Sequence, residues 1–171
     1  MYSCATGQKW TNSSFSIHTT FVRTSSSSSG LLKADPSWRI GIVYSSFYPE
    51  IISVMREGAI QELLKSGIQE SCIVQYEAPG SFEIPLIGRN LAERKSVDAL
   101  IALGVIVQGE THHAELIAEE SARGIMDVQL RYGIPFAMEI LFVEDLSLAR
   151  DRTDKGVAAA RTILKTLSLM M

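Results

Sequence analysis

The chain has 171 residues, of which 46% are hydrophobic and 20% charged, and its formal net charge is −3 with a pI near 5.6. This balance argues against binding to nucleic acid or to a membrane surface, because both need a basic face. The two cysteines, Cys4 and Cys72, imply neither a disulfide framework nor a metal cluster, and no apolar run approaches the roughly 20 residues of a membrane span. We therefore expect one globular domain with an appendage, acting on small molecules in the cytoplasm.

The appendage is formed by residues 1–36, and the domain is expected to occupy 37–171. The segment is rich in Ser and Thr, contains a serine run at 25–29, and has no acidic residue before Asp35. It cannot bury enough apolar area to offset the entropy of ordering it, so we predict disorder. A Ser-rich, acid-poor segment also resembles an organelle transit peptide. A plastid targeting signal and a non-functional extension both remain open.

Strand and helix patterns alternate from Trp38 onward. Short apolar runs rich in β-branched residues predict strands at 39–45, 72–77, 97–107 and 136–143, and the long third run is expected at the centre of the sheet. Apolar residues at spacings of three and four predict helices at 49–65, 84–94, 111–132 and 146–169. Gly67 and Gly133 stand where C-terminal helix caps belong. This alternation implies an α/β fold, a four-stranded parallel sheet with helices on both faces and right-handed crossovers.

The most informative stretch of the sequence is 106–115 (IVQGETHHAE). A buried strand runs into Gly109-Glu110-Thr111, and His112 and His113 follow in the expected first turn of a helix. This arrangement places free backbone N–H groups, the positive end of a helix dipole and an imidazole in one small volume. It predicts a site for an anion, most simply a phosphate, beside a proton-transfer group.

The ends of the other strands carry residues that suit the same site. In a parallel α/β sheet, ligands bind beyond the carboxyl ends of the strands. Phe47 follows the first strand, and the segment 78–83 (APGSFE) follows the second. The fourth strand contains Met138, and the predicted final helix carries Arg150, Arg152 and Lys155. Aromatic rings, a carboxylate, histidines and bases on one rim predict a pocket for a flat polar heterocycle and a phosphate.

Each of these residues also has a purely structural interpretation that the sequence leaves open. Phe47 could fill the core, and Glu83 could do no more than stabilise the first turn of its helix. His113 could be a surface histidine, and Arg152 and Lys155 could lie on the solvated face of an amphipathic helix.

Phe47, the run 80–85 (GSFEIP) and the run 109–113 (GETHH) together resemble the lumazine synthase family, over about residues 39–169. The resemblance implies a three-layer, flavodoxin-like fold and a homo-oligomer built from pentamers, with active sites shared between neighbouring subunits. It also implies a transferase of riboflavin biosynthesis. The reaction would condense 5-amino-6-ribitylaminouracil with 3,4-dihydroxy-2-butanone 4-phosphate to give 6,7-dimethyl-8-ribityllumazine, phosphate and water. No step changes redox state, so neither a metal nor another cofactor is implied.

The resemblance also implies a role for each matched position. Phe47 would stack on the pyrimidine ring, and His113 would transfer protons, whereas His112 falls at a variable position. The basic residue that helps to hold the phosphate across the subunit interface would be Arg152. The segment that holds the ring and the ribityl chain would be Ser81, Phe82 and Glu83. The strand end whose backbone binds the pyrimidine edge would be Val105, Ile106 and Val107, and the phosphate-binding turn would include Glu110 and Thr111.

The sequence also departs from the family pattern. Met138 stands where a second aromatic wall residue is common, Glu139 where glycine is usual, and Tyr48 where asparagine is preferred. The loop after Arg152 is about five residues shorter than usual before Lys155, so Lys155 ranks below Arg152 as a phosphate ligand. Two rival functions follow: a non-catalytic shell or flavin-binding paralogue, and another phosphate-handling enzyme on a flavodoxin-like sheet.

Overall fold

The computed structural model describes residues 34–171, so the predicted disorder of the appendage concerns residues that lie almost wholly outside the described part. The described chain contains a four-stranded, all-parallel sheet. Its strands are β1 (Ile40–Ser45), β2 (Ile73–Ala78), β3 (Ala99–Val107) and β4 (Phe136–Val143), in the spatial order β2-β1-β3-β4. The α/β class, the parallel sheet and the central position of the third strand are therefore confirmed.

Helices cover both faces of the sheet. They are α1 (Pro49–Lys65), α2 (Ile84–Glu93), α3 (His113–Tyr132), α4 (Leu146–Arg150) and α5 (Lys155–Met170). One apolar core joins α1, α4 and α5 to the sheet, and a second joins α2 and α3 to the opposite face. Successive residues of a strand point to opposite faces, so Ile42 belongs to the first core and Val43 to the second. The fold thus has the three layers that the alternating pattern predicts.

Local start and stop signals fix several helix boundaries. Pro49 opens α1, where its missing N–H costs nothing. Gly133 ends α3 in the left-handed conformation, with φ 65°, and its N–H donates to the carbonyl of Gln129. Gly67, with φ 102°, follows the C-cap of α1. Both glycines therefore occupy the conformation that favours glycine over residues with a side chain.

The prediction of one continuous final helix over 146–169 is wrong. The chain leaves the helix after Arg150, turns through residues 151–154, and begins α5 at Lys155. The reason is tertiary packing. Gly156 lies so close to α1 that an added Cβ would stand 1.8 Å from the carbonyl oxygen of Met55. Contact with α1 therefore sets the direction of α5, whereas α4 packs against β4.

The order of the strands also marks where a ligand should bind. The chain runs outward from β1 to β2, then returns to β3 on the other side of β1 and continues to β4. Such a topological switch point opens a crevice beyond the carboxyl ends of the two central strands. Among residues 34–171, no helix is long and apolar enough to cross a membrane.

Candidate active site

A cleft of about 590 Å³ lies at the carboxyl ends of β1, β2 and β3. Its volume falls within the range typical of small-molecule sites. Its wall is mostly apolar, with a few polar groups, and is formed by Phe47, Tyr48, Pro79, Gly80, Ser81, Phe82, Glu83, Val105, Ile106, Val107, Gly109, Thr111, His113, Ala114, Leu116 and Ile117. Most of the residues predicted from the sequence therefore come together in one wall.

Two phenylalanines give the cleft an aromatic surface. Phe47 is 59% exposed and Phe82 is 54% exposed, so Phe47 does not fill the core. The backbone of Phe47 is held by its N–H, which donates to Oγ of the buried Ser45 at 3.2 Å. Exposed aromatic rings on a fixed backbone can stack on a flat heterocycle at low entropic cost.

Glu83 lies beside this aromatic surface. A Cβ added to Gly80 would stand 3.1 Å from Oε2 of Glu83 and 3.6 Å from Cε2 of Phe47. The glycine thus makes room where the carboxylate and the ring meet. Glu83 is at the N-cap position of α2, yet its side chain makes no capping hydrogen bond. Its carboxylate is therefore available to a ligand in the cleft rather than committed to the helix end.

The segment that carries Phe82 and Glu83 is a short 3₁₀ helix, Ser81–Glu83. Its first residue, Ser81, is buried, and the hydroxyl of Ser121 on α3 donates to the Ser81 carbonyl at 3.2 Å. This hydrogen bond joins the segment to the helix that begins at His113.

The two histidines have different surroundings. His113 is the first residue of α3, lines the cleft, and donates its backbone N–H to Oγ1 of Thr111 at 3.4 Å. The imidazole of His112 is 96% exposed, does not line the cleft, and contacts Oε2 of Glu115 at 2.8 Å. Of the two, only His113 can exchange a proton with a ligand in the cleft.

Four predicted residues do not line the cleft of the described chain: Glu110, Met138, Arg152 and Lys155. Glu110 is exposed on the turn, and Met138 is partly exposed on the edge strand β4. Arg152 lies between α4 and α5, and its guanidinium donates to the carbonyl of Leu148 at 2.7 Å. Consequently, the wall that one chain contributes contains no lysine or arginine among residues 34–171.

The charge of Lys155 acts on Glu139 of β4. Burial raises the pKa of the Glu139 carboxyl above its ordinary value. The positive charge of Lys155 opposes this shift, and the carboxylate of Asp154 adds to it. The carboxyl group of Glu139 therefore lies near Lys155, which the sequence predicted to bind phosphate.

Part of the wall was not predicted from the sequence. Leu116 and Ile117 follow His113 at spacings of three and four, which places them on the same face of α3. That spacing was visible in the sequence. Leu116 is 54% exposed beside the cleft.

The fold and the cleft define an α/β protein of flavodoxin-like topology that has a small-molecule site at its switch point. The chain belongs to the 6,7-dimethyl-8-ribityllumazine synthase family, whose model matches residues 37–171. Proteins of that name from Verminephrobacter eiseniae and Acidovorax ebreus are each 42% identical over 132 residues, which cover 77% of this chain and 86% of theirs. The protein of that name from Paraburkholderia phymatum is 41% identical, with 77% of each chain covered.

Proposed function

We propose that this protein condenses 5-amino-6-ribitylaminouracil with 3,4-dihydroxy-2-butanone 4-phosphate to 6,7-dimethyl-8-ribityllumazine, with release of phosphate and water. The main support for the proposal is the composition of the cleft, in a chain that belongs to the 6,7-dimethyl-8-ribityllumazine synthase family. The cleft combines an aromatic surface, the carboxylate of Glu83 and the imidazole of His113.

The roles of the cleft residues follow from the groups that the pyrimidine substrate presents. Its flat ring stacks on Phe47, with Phe82 as a second apolar wall. The Ser81–Glu83 segment holds the ring and the ribityl hydroxyls, and the backbone at the end of β3, from Val105 to Val107, binds the polar edge of the ring. A few polar groups in an apolar pocket fix the orientation of a ligand in this way.

The chemistry needs proton transfer more than any other assistance. An amine of the pyrimidine attacks the ketone and one water leaves. Phosphate is then eliminated, and the second amine attacks the carbonyl that this step generates, which closes the ring with loss of a second water. Each step moves a proton, and an imidazole is suited to that task near neutral pH. His113 fills this role, and the turn carrying Glu110 and Thr111 binds the phosphate ahead of α3, where backbone N–H groups and the helix dipole favour an anion.

The site is completed by a second copy of the chain. The phosphate substrate is an anion, yet the cleft wall of a single described chain offers no lysine or arginine. We assign Arg152 to the phosphate across a subunit interface, with Lys155 as a further ligand and Met138 as an apolar cover for the ring. The assembly is a pentamer or a multiple of pentamers, and its location is the cytoplasm.

The two adjacent histidines offer a matched test of the reaction. Lumazine formation is followed by absorbance against a mixture without enzyme, because the substrates also condense spontaneously. Replacing a positioned general acid–base costs about 10²–10⁴-fold in turnover, so His113→Ala should lose this much while remaining folded. His112→Ala should keep its turnover, because that imidazole points to solvent.

Three results would count against this assignment. Equal losses in the two histidine variants would remove His113 from the proton-transfer role. Unfolding of His113→Ala would do the same, because this exposed residue should contribute little to stability. Tight flavin binding by a folded wild-type protein that does not accelerate the reaction would favour the non-catalytic paralogue.

The sharing of sites between subunits has its own test. His113→Ala and Arg152→Ala place their lesions on opposite sides of a shared interface. Mixed assemblies of the two variants should therefore recover activity that neither variant has alone, since some interfaces then combine an intact His113 with an intact Arg152. Mixing that restores nothing would mean that both residues serve the same chain.

A further inference from the structure

We infer that Gln108, which does not line the cleft, is a positioning residue that holds the phosphate-binding turn in its binding conformation. The inference rests on the phosphate role proposed above for the turn Gly109–Glu110–Thr111. It identifies what keeps this exposed turn in one conformation.

Gln108 is anchored by its backbone and reaches the turn with its side chain. Its N–H donates to the carbonyl of Val143 at 2.8 Å and so extends the pairing of β3 with β4. Its Nε2 donates to the carbonyls of Gly109, at 3.0 Å, and Thr111, at 3.3 Å. An amide nitrogen has two hydrogens, and the Gln108 side chain donates both of them to this turn.

The direction of these two carbonyls fixes the direction of two N–H groups. In a planar trans peptide, the carbonyl of one residue and the N–H of the next point in opposite directions. With the Gly109 and Thr111 carbonyls turned toward Gln108, the N–H groups of Glu110 and His112 point away from it. No acceptor within residues 34–171 takes either of these N–H groups. Unpaired N–H groups ahead of a helix are suited to holding an anion.

The other end of the carboxamide supports a specific orientation. Oε1 of Gln108 is buried and has no hydrogen-bond partner within the described chain. Rotating the amide by half a turn would place this oxygen against the two carbonyl oxygens, so that orientation is excluded by repulsion. An unpaired buried oxygen destabilises the fold. An apolar side chain at this position would pack without leaving an unpaired oxygen. A carboxamide leaves one, but it also supplies the two N–H donors that hold the turn.

Two substitutions separate positioning from packing. Gln108→Met keeps the approximate length of the side chain and removes both donors, so the turn loses its support. We expect the KM for the butanone phosphate and the Ki of inorganic phosphate to rise about five- to tenfold, with the KM for the pyrimidine unchanged. Gln108→Lys restores donors and removes the unpaired oxygen, so it should return both phosphate constants to within about twofold of wild type.

A second glutamine provides the control. The side chain of Gln129 accepts the N–H of Phe136 at 3.0 Å, at the opposite end of the sheet. Gln129→Met should lower the melting temperature without changing any phosphate constant. The inference is overturned if Gln108→Met leaves phosphate binding unchanged, if it raises the KM of both substrates equally, or if Gln108→Lys does not rescue it.

Direct titration with inorganic phosphate, followed by ³¹P NMR or calorimetry, separates this inference from the proposed reaction. A wild-type protein that binds phosphate without forming lumazine would contradict the reaction, and the Gln108 variants would still show whether the turn depends on that side chain. A wild-type protein that forms lumazine, with equal phosphate affinity in the wild type and Gln108→Met, would overturn only the positioning role.

Discussion

The hydrogen bond from Ser121 to the Ser81 carbonyl permits a quantitative prediction. Ser121 is fully buried on α3, and Ser121→Ala removes only its hydroxyl. The Ser81 carbonyl also accepts the N–H of Ile84, so it keeps one partner. The cost is therefore that of one neutral hydrogen bond, about 1 kcal/mol, rather than that of an orphaned polar group. For a cooperative unit of about 140 residues, this corresponds to a decrease of about 3–4 °C in the melting temperature.

The same substitution should change binding of one substrate more than the other. Phe82 and Glu83 belong to the segment that Ser121 holds, so the KM for the pyrimidine should rise, by at most about fivefold if all of the bond energy serves binding. The KM for the phosphate substrate should not change. Ser96→Ala is the control: its hydroxyl donates to Leu91 at 2.9 Å at the opposite end of β3. A lower melting temperature with both KM values unchanged would refute a role for Ser121 in the site.

Two further predictions concern stability. Lys95 follows α2 in the left-handed conformation, with φ 52°, at a position that favours glycine. Lys95→Gly should therefore raise the free energy of unfolding, measured by urea titration, by about 0.5–1 kcal/mol. Arg94→Gly is the control: its φ is −76°, so this substitution should lower the free energy of unfolding. Burial raises the pKa of Glu139 in the folded state above its ordinary value of 4.5. At pH values between the ordinary and the raised pKa, the native protein therefore binds more protons than the unfolded chain. Its stability consequently falls as the pH rises through that window. Glu139→Gln should accordingly be more stable than wild type at about pH 7, and this advantage should vanish below pH 4.5; an advantage that grows on acidification would contradict the burial argument.

The parts of the fold that the sequence predicted well are those determined by local chemistry. The helix from Pro49 to Lys65 matches its predicted bounds, because proline can begin a helix and the glycine at 67 follows its end. The apolar run at 99–107 is typical of a strand covered on both faces, and β3 occupies the centre of the sheet. The convergence of Phe47, Glu83 and His113 then followed from parallel strands, whose carboxyl ends share one edge.

The features that could not be predicted depend on contacts between residues distant in sequence. The polar run 151–154 (DRTD) separates residues 146–150 from 155–170. The direction of the second helix becomes understandable only when Gly156 is seen against the carbonyl of Met55. The positive φ at Lys95 could not be predicted for a different reason. Glycine at this position would have indicated the end of the helix, but the residue there is a lysine. Gln108 and Ser121 have no motif, because each is defined by the carbonyl it reaches.

The segment Ser81–Glu83 shows how an exposed part of the site gains a fixed geometry from the buried part. Gly104 lies on the central strand, and a Cβ added there would stand 2.6 Å from Oγ of Ser81 and 3.2 Å from Cγ2 of Ile140. The missing side chain thus lets the segment lie directly on β3, while Ser121 holds it from α3 on the other side. Because β3 is paired with β1 through Leu103 and with β4 from Leu100 to Val107, it cannot shift at Gly104 without disturbing the sheet. Phe82 is exposed and Glu83 is half-buried, but the residue that precedes them is packed between β3 and α3, so their positions follow from the core rather than from the loop.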